Sequence, residues 1–119
     1  GDDMGERFLY QADSEDGGRT WTLARVTTML GFPPHLIRLQ DDRLLVVHGR
    51  RLAPFGQRAC LSSDEGVTWD DQRILQAAHD DDLGYPASAQ LSDGSVVTVY
   101  YQADKAGEKT CLMATKWRL

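Results

Sequence analysis

Carboxylates recur at fixed positions in two eight-residue stretches of this sequence, SEDGGRTW (Ser14–Trp21) and SSDEGVTW (Ser62–Trp69). Both keep the pattern Ser-x-Asp-x-Gly-x-Thr-Trp, so Asp16 and Asp64 are the first groups to consider as catalytic acids, bases or metal ligands. The same residue types also build tight turns, in which an aspartate accepts hydrogen bonds from backbone N–H groups. Because turn signals at repeat spacing serve folding, we predict a structural role for Asp16 and Asp64.

The proposed turn assigns a role to each of the other fixed residues. Gly18 and Gly66 should take a positive φ, which a residue with a Cβ resists. The Ser and Thr hydroxyls should tie the ends of the turn together. Trp21 and Trp69 should fill the apolar layers between neighbouring sheets.

Two further groups of residues invite a chemical interpretation. The run His79-Asp80-Asp81-Asp82 offers oxygen ligands for a hard cation, but it lacks a recognisable ligand loop, and we interpret it as a solvated connection. Cys60 and Cys111 lack the spacing of zinc or redox sites, and we interpret both as small buried apolar residues. We therefore predict neither a metal site nor a cofactor.

Composition limits the classes of partner. The chain has 119 residues, of which 41% are hydrophobic and 26% charged, typical of a soluble globular protein with a core. Its formal net charge of −5 argues against a nucleic acid or an anionic membrane as the partner, since either requires a basic surface. No apolar run approaches the length needed to span a bilayer.

The elements that must position these residues repeat along the chain. The two Ser-x-Asp-x-Gly-x-Thr-Trp stretches begin 48 residues apart, at Ser14 and Ser62. A second internal similarity aligns PHLIRLQDDRLLVV (Pro34–Val47) with PASAQLSDGSVVTV (Pro86–Val99) at an offset of 52 residues. A unit of about fifty residues is typical of repeat architectures such as β-propellers.

Each unit is predicted to be β structure. Short apolar or alternating runs are bounded by Gly, Asp or Pro clusters, and no stretch keeps a helical period. Four short strands in about fifty residues is the content of one propeller blade. We predict an all-β fold of about two and a quarter blades of four-stranded antiparallel sheet: strands three and four of one blade at 1–28, a complete blade at 29–77 with its fourth strand from Trp69, and three strands of another at 78–119.

The repeated pattern resembles the Asp-box, or BNR repeat, of sialidases and their relatives. The stretches GFPPHLIRL, PFGQRACLSSDEGVTW, DLGYPASAQLSDGSVVTVYY and ATKWRL are also similar to the carboxy-terminal part of bacterial sialidase-like proteins. This resemblance covers essentially the whole chain. It implies part of a six-bladed propeller whose active site lies on the face opposite the Asp-boxes.

The resemblance also implies site residues. Sialidases hold the sugar carboxylate with three arginines, attack with a tyrosine assisted by a glutamate, and use an aspartate as acid/base catalyst. Arg58 matches the last arginine, and Tyr85 matches the tyrosine nucleophile; Arg7 is a weaker match to the middle arginine. His35, on the same face one blade earlier, is a candidate contact to a sugar hydroxyl. The plainer alternatives are interblade packing for Tyr85 and a solvated or ion-paired arginine for Arg58.

Two functions of different classes remain open from the sequence. In the first, the chain is a segment of a sialidase-related glycoside hydrolase, active on terminal acidic sugars only when the missing blades supply the first arginine and the carboxylate catalysts. In the second, it is a non-catalytic carbohydrate-binding or scaffold module that assembles from identical chains. A head-to-tail homo-oligomer could then complete the ring, because heterologous interfaces close when the rotation permits.

Overall fold

The computed structural model describes residues 7–119 as nine β-strands in three separate antiparallel sheets. The strands are β1 (Phe8–Gln11), β2 (Arg25–Leu30), β3 (Pro34–Arg38), β4 (Leu44–Arg50), β5 (Gly56–Ser62), β6 (Arg73–Ala77), β7 (Gly84–Gln90), β8 (Val96–Ala103) and β9 (Thr110–Trp117). The all-β prediction is confirmed. Across these residues, no helix has the length and apolar character to cross a bilayer.

The sheets follow the chain order without crossovers. The first contains β1 and β2, the second β3 to β6, and the third β7 to β9, and they are not closed into a ring. The predicted segment 1–28 begins outside the described residues, and the strand that ends it, β2, continues to Leu30.

The predicted start of the fourth strand at Trp69 is wrong, because β6 begins at Arg73. Trp69 and Asp70 belong instead to the end of the box turn. The Asp70 carboxylate accepts a hydrogen bond from the backbone N–H of Leu61, and the Asp70 N–H donates to the Leu61 carbonyl. These bonds keep the segment out of the regular ladder for several residues.

Apolar layers hold neighbouring sheets together. Between the second and third sheets, the buried residues are Leu39, Leu45, Val47, Ala59, Leu61 and Val96. Between the first and second sheets, they are Leu9, Met29, Val46 and Cys60, with Trp69 packed against them. Side chains alternate between the two faces along β4 and β5, so each of these strands contributes to both layers.

Trp69 fills the layer between the first two sheets, as predicted. Its ring packs on the apolar cluster of that layer, and its Nε1–H donates to the side-chain oxygen of Gln11 at 3.0 Å. Trp21 differs, because its side chain is 62% exposed. The prediction that Trp21 fills an apolar layer is therefore not met within residues 7–119.

The two box turns share one hydrogen-bond pattern. In each, the serine hydroxyl (Ser14 or Ser62) donates to the aspartate, and it accepts from the glycine N–H two residues after that aspartate at 2.9 Å. The aspartate also accepts from the backbone N–H and the hydroxyl of the threonine. Gly18 and Gly66 have φ values of +89° and +81°. The predicted turn is therefore confirmed in both copies.

The cysteines behave differently from each other. Cys60 is fully buried on β5, as predicted, and burial raises the pKa of its thiol to about 12. Cys111 is exposed, so its predicted burial is wrong. It lies on β9, the outer strand of the third sheet, where no further strand of the described chain packs.

Candidate functional site

Three loops and strand ends form one edge of the molecule, opposite the box turns. We call this edge the rim and define it as residues 31–33, 50–55 and 78–85. The starts of β3, β5 and β7 lie here. The antiparallel order β3-β4-β5 puts the starts of β3 and β5 at the same end of the second sheet. The hydrogen bonds between His35 and Ser88 and between Gln40 and Gln90 show that β3 and β7 run side by side in the same direction. The box turn of the second sheet follows the other end of β5. Loops at strand ends are where binding groups usually lie on a rigid scaffold.

Arg58 is buried near the rim end of β5, with only 3% of its surface exposed. Its guanidinium donates to the carbonyls of Pro54 at 2.7 Å and Gln57 at 3.3 Å. Burial lowers the pKa of Arg58, and the nearby charge of Arg50 lowers it further. Among residues 7–119, no carboxylate forms an ion pair with Arg58 or Arg50.

His48 lies directly across the ladder from Arg58, and its side chain is fully buried. Its Nδ1 lies 3.1 Å from the carbonyl oxygen of Gly49, which can only accept, so Nδ1 carries the proton. Burial, with the positive charges of Arg58 and Arg50, lowers the pKa of His48 to about 4, so the ring is neutral at pH 7.

Two polar atoms in this cluster have no hydrogen-bond partner within the part of the chain that the structure describes. They are Nε2 of His48 and Nε of Arg50, and both are buried. Buried polar groups are nearly always paired, so each unpaired atom requires an explanation. Together with Arg58, these groups form a basic cluster, here called the arginine cluster, that lacks a compensating anion among residues 7–119.

Arg7 connects to this region through its backbone. Its carbonyl accepts a hydrogen bond of 2.7 Å from the N–H of Gly31. A side chain on Gly31 would overlap with His48 and with the carbonyl of Gly49. The backbone of Arg7 is therefore held at the same end of the sheets as the arginine cluster.

Tyr85 lies at the rim start of β7, and its side chain is 67% exposed. Its backbone has a φ of +49°, which is unusual for a bulky residue, and the preceding Gly84 has a φ of +140°. The ladder between β7 and β8 is irregular between Gly84 and Ala87, so Tyr85 lies in a bulge. Bulges near active sites commonly redirect a side chain.

Aromatic and cationic groups surround Tyr85. Its ring stacks on that of Tyr101, with centroids 5.8 Å apart and an angle of 25° between the planes. The guanidinium of Arg51 lies 5.7 Å from the Tyr85 ring and 5.1 Å from the Phe32 ring. Burial raises the pKa of Tyr101, whose hydroxyl accepts a hydrogen bond from Arg51 at 3.0 Å.

His35 lies between the second and third sheets rather than in the basic or aromatic group. Its Nδ1 accepts a hydrogen bond of 3.1 Å from the backbone N–H of Ser88. The ring is half-buried, and this bond joins the second sheet to the third.

The structure thus places Arg58 and Tyr85 at the same edge of neighbouring sheets, each in its own group of contacts. Neither His48 nor Arg51 was among the site residues predicted from the sequence. The signal for His48 was its place in the apolar strand β4, two residues after Val46 and on the same face. No signal for the contacts of Arg51 was visible, because its partners lie 32 and 50 residues further along the chain.

The acidic run before Tyr85 makes one local hydrogen bond and one contact to a distant loop. Asp80 accepts from the N–H of Asp82, and Nε2 of His79 lies 3.2 Å from the carbonyl of Asp104. Over residues 7–119, the structure brings together no three His, Cys, Asp or Glu side chains that could hold a metal ion.

Comparisons with known proteins agree with this architecture. Residues 2–98 match the model of a family described as the BNR repeat-like domain. A crystal structure of a protein of unknown function from Dyadobacter fermentans DSM 18053 is similar, with a TM-score of 0.83 and 31% sequence identity. The match covers 91% of this chain but only 30% of that chain. No curated protein matches significantly. Repeats of this family form propeller blades, and the chain belongs to the BNR repeat-like family.

Proposed function

We propose that this chain is part of a sialidase-related glycoside hydrolase that removes terminal acidic sugars once further blades complete the ring. The observation that carries the proposal is the arginine cluster beside the rim: the charges of Arg58 and Arg50 lie close together, the buried Nε–H of Arg50 is an unpaired donor, and no carboxylate among residues 7–119 pairs with either guanidinium. An anionic ligand would compensate this charge. The exposed phenol of Tyr85 lies on the same edge.

In this proposal, Arg58 binds the sugar carboxylate, with Arg7 and His35 as further contacts to the sugar. Planar guanidinium groups match the two oxygens of a carboxylate, and they stay charged at any physiological pH. The Arg58 guanidinium would exchange a carbonyl partner for the ligand, because both of its present partners are neutral backbone groups. Bonds from a guanidinium to a carboxylate are about twice as strong as neutral ones.

Tyr85 is the proposed nucleophile. Its oxygen attacks the anomeric carbon as the bond to the leaving group breaks, and water then hydrolyses the glycosyl–tyrosine bond. A neutral phenol approaches an anionic sugar with less repulsion than a carboxylate would, and sialidases are the glycosidases that use tyrosine in this way. We assign the proton transfers to carboxylates outside this chain.

The test uses the full protein that contains this chain, with an aryl α-glycoside of N-acetylneuraminic acid as substrate. We expect Tyr85→Phe to lower kcat by about 1,000-fold or more, because the nucleophile is lost. Arg58→Ala should raise KM for the acidic glycoside more than for its methyl ester, which has lost the charge. Tyr10→Phe, an exposed tyrosine on β1, is the matched control and should behave as wild type. Full turnover by Tyr85→Phe would overturn the assignment.

Glycan binding without hydrolysis, by a module assembled from identical chains, is the second candidate. The exposed rings of Phe32 and Tyr85 favour it, because amphipathic aromatic surfaces bind ligands without any chemical step. This candidate predicts that wild-type protein binds the acidic sugar without releasing the aryl group. It also predicts that binding survives Tyr85→Phe better than Arg58→Ala.

A further inference from the structure

The backbone at Tyr85 is held in a conformation that its own sequence disfavours. A φ of +49° is rarely adopted by a residue with a bulky side chain, and the following Pro86 restricts Tyr85 toward extended conformations. Such local strain persists only where the surroundings fix the residue from several sides. The contacts that fix Tyr85 therefore decide where its phenol lies.

Arg51 supplies contacts on both the backbone side and the ring side of Tyr85. Its Nε–H donates to the carbonyl of Leu83 at 2.8 Å, and Leu83 is fully buried two residues before Tyr85. Its guanidinium lies 5.7 Å from the Tyr85 ring centroid, within cation–π range. The side chain of Arg51 therefore contacts both the backbone just before the bulge and the aromatic ring of Tyr85 within it.

Arg51 also holds the ring on which Tyr85 stacks. Its Nη2 donates to the hydroxyl of Tyr101 at 3.0 Å, and the Tyr101 ring lies 5.8 Å from that of Tyr85. Phe32 packs against the same guanidinium at 5.1 Å. Only a planar guanidinium with several N–H groups can serve two acceptors and two aromatic faces together, because the ammonium of lysine is a compact point charge.

We infer that Arg51 is a positioning residue that fixes the phenol of Tyr85 for attack, acting from the loop between β4 and β5 across to the start of β7. This inference rests on the proposed role of Tyr85. It assigns to Arg51 no contact with the sugar: the arginine acts through Tyr85. Arg51 belongs to a loop of the second sheet and Tyr85 to the third sheet. The position of the Tyr85 ring therefore depends on how these two sheets pack.

The kinetic test compares Arg51→Gln and Arg51→Lys in the full protein with the aryl α-glycoside of N-acetylneuraminic acid. Misplacing a reacting atom by about 1 Å can cost about 100-fold in rate, so we expect Arg51→Gln to lower kcat by about 100-fold. KM should change by less than about threefold, because binding energy is not what Arg51 supplies. Arg51→Lys should recover little of the loss. Arg19→Gln, an exposed arginine in the first box turn, is the control for lost charge.

A second measurement reports the mobility of the Tyr85 ring directly and does not depend on turnover. Full protein containing 3-fluorotyrosine is examined by ¹⁹F NMR, with the Tyr85 signal assigned by its absence in Tyr85→Phe. We expect Arg51→Gln to shift and narrow the Tyr85 signal, because the ring becomes mobile, while Arg19→Gln leaves it unchanged. Tyr101→Phe, which removes only the hydroxyl that accepts from Arg51, should give a smaller change in the same direction.

The outcomes separate the two claims. If Tyr85→Phe abolishes turnover while Arg51→Gln keeps wild-type kcat and an unchanged ¹⁹F signal, the positioning role is wrong and the proposed function stands. If the wild-type protein hydrolyses no acidic glycoside, or Tyr85→Phe retains full turnover, the proposed function fails. The ¹⁹F measurement then still decides whether Arg51 fixes the Tyr85 ring. A loss in Arg51→Gln that appears in KM alone would make Arg51 a binding residue and overturn the inference.

Discussion

The box aspartates Asp16 and Asp64 are surface carboxylates whose hydrogen bonds hold two turns closed. Bonds from the threonine hydroxyls and backbone N–H groups, with those from the serines, lower the pKa of both carboxyls from 3.8 to about 2. Because the folded-state pKa lies below the unfolded-state value, the resulting stability is fully present above about pH 4 and is lost as the pH falls through about 2.

We therefore expect the double variant Asp16→Asn/Asp64→Asn to be less stable than wild type at pH 7 and to lose less stability between pH 4 and 2. Thermal unfolding followed by circular dichroism over this pH range measures the slope. The matched pair for charge is Asp16→Asn against Glu15→Gln, because each removes one carboxylate from the first turn. An equally steep decline of the double variant between pH 4 and 2 would contradict the role of the two carboxylates.

His48 predicts a second, separate acid effect. Burial lowers its pKa from 6.5 to about 4, so the unfolded state binds more protons between these values and stability falls as the pH drops from about 6.5 to 4. A shift of this size corresponds to a loss of roughly 3 kcal/mol across the interval. Urea unfolding of wild type and His48→Gln at pH 7 and pH 4.5 tests this. We expect a smaller pH dependence in the variant, and equal dependence would show that His48 does not titrate as described.

At the scale of single elements, the layer between the first two sheets depends on Trp69. Trp69→Ala removes a ring packed on that cluster and a hydrogen bond to Gln11, so we expect the free energy of unfolding to fall by about 2 to 4 kcal/mol. Val67→Ala changes a 72% exposed side chain two residues earlier and should alter it by less than about 0.5 kcal/mol. Urea unfolding of the full protein compares the two, and losses of similar size would contradict this account of the layer.

Local patterns predicted some elements and not others. The box turns were predictable because the hydrogen bonds that close each turn, between the serine, aspartate, glycine and threonine, join residues within four positions of each other. The start of β6 was not, because Asp70 bonds back to Leu61 and delays the start of the strand to Arg73. Cys111 looked like a core residue, but its burial depends on which strand or sheet lies beside β9. The resemblance suggested Tyr85 and Arg58 as site residues, which stays a prediction, whereas the contacts of Arg51 join neighbouring sheets and no local pattern encodes them.

On the scale of the whole molecule, both flanks expose side chains suited to packing. Leu112 on β9 is 79% exposed, and Val26 and Tyr10 on the first sheet are 54% and 60% exposed. Apolar edge strands are prone to association unless they are covered. We propose that further blades cover these flanks, supplied by a longer chain or by identical copies.

Light scattering of residues 1–119 expressed alone tests this need for cover. We expect association that grows with concentration, because both flanks are bare. A discrete oligomer would favour completion of the ring by copies, and polydisperse aggregates would favour a longer chain. A stable monomer at high concentration would contradict the account of the flanks.

The central claim, that Tyr85 attacks an acidic sugar at this rim, is tested most directly by trapping its covalent intermediate. A 3-fluoro sialosyl fluoride is incubated with the full protein, because fluorine next to the anomeric carbon slows breakdown of the glycosyl–enzyme bond. Trypsin then releases the peptide 74–105, and mass spectrometry locates the modification. The account predicts one added fluorosugar on Tyr85, absent in Tyr85→Phe. A label on any other residue, or turnover of the inactivator with no label on this peptide, would contradict it.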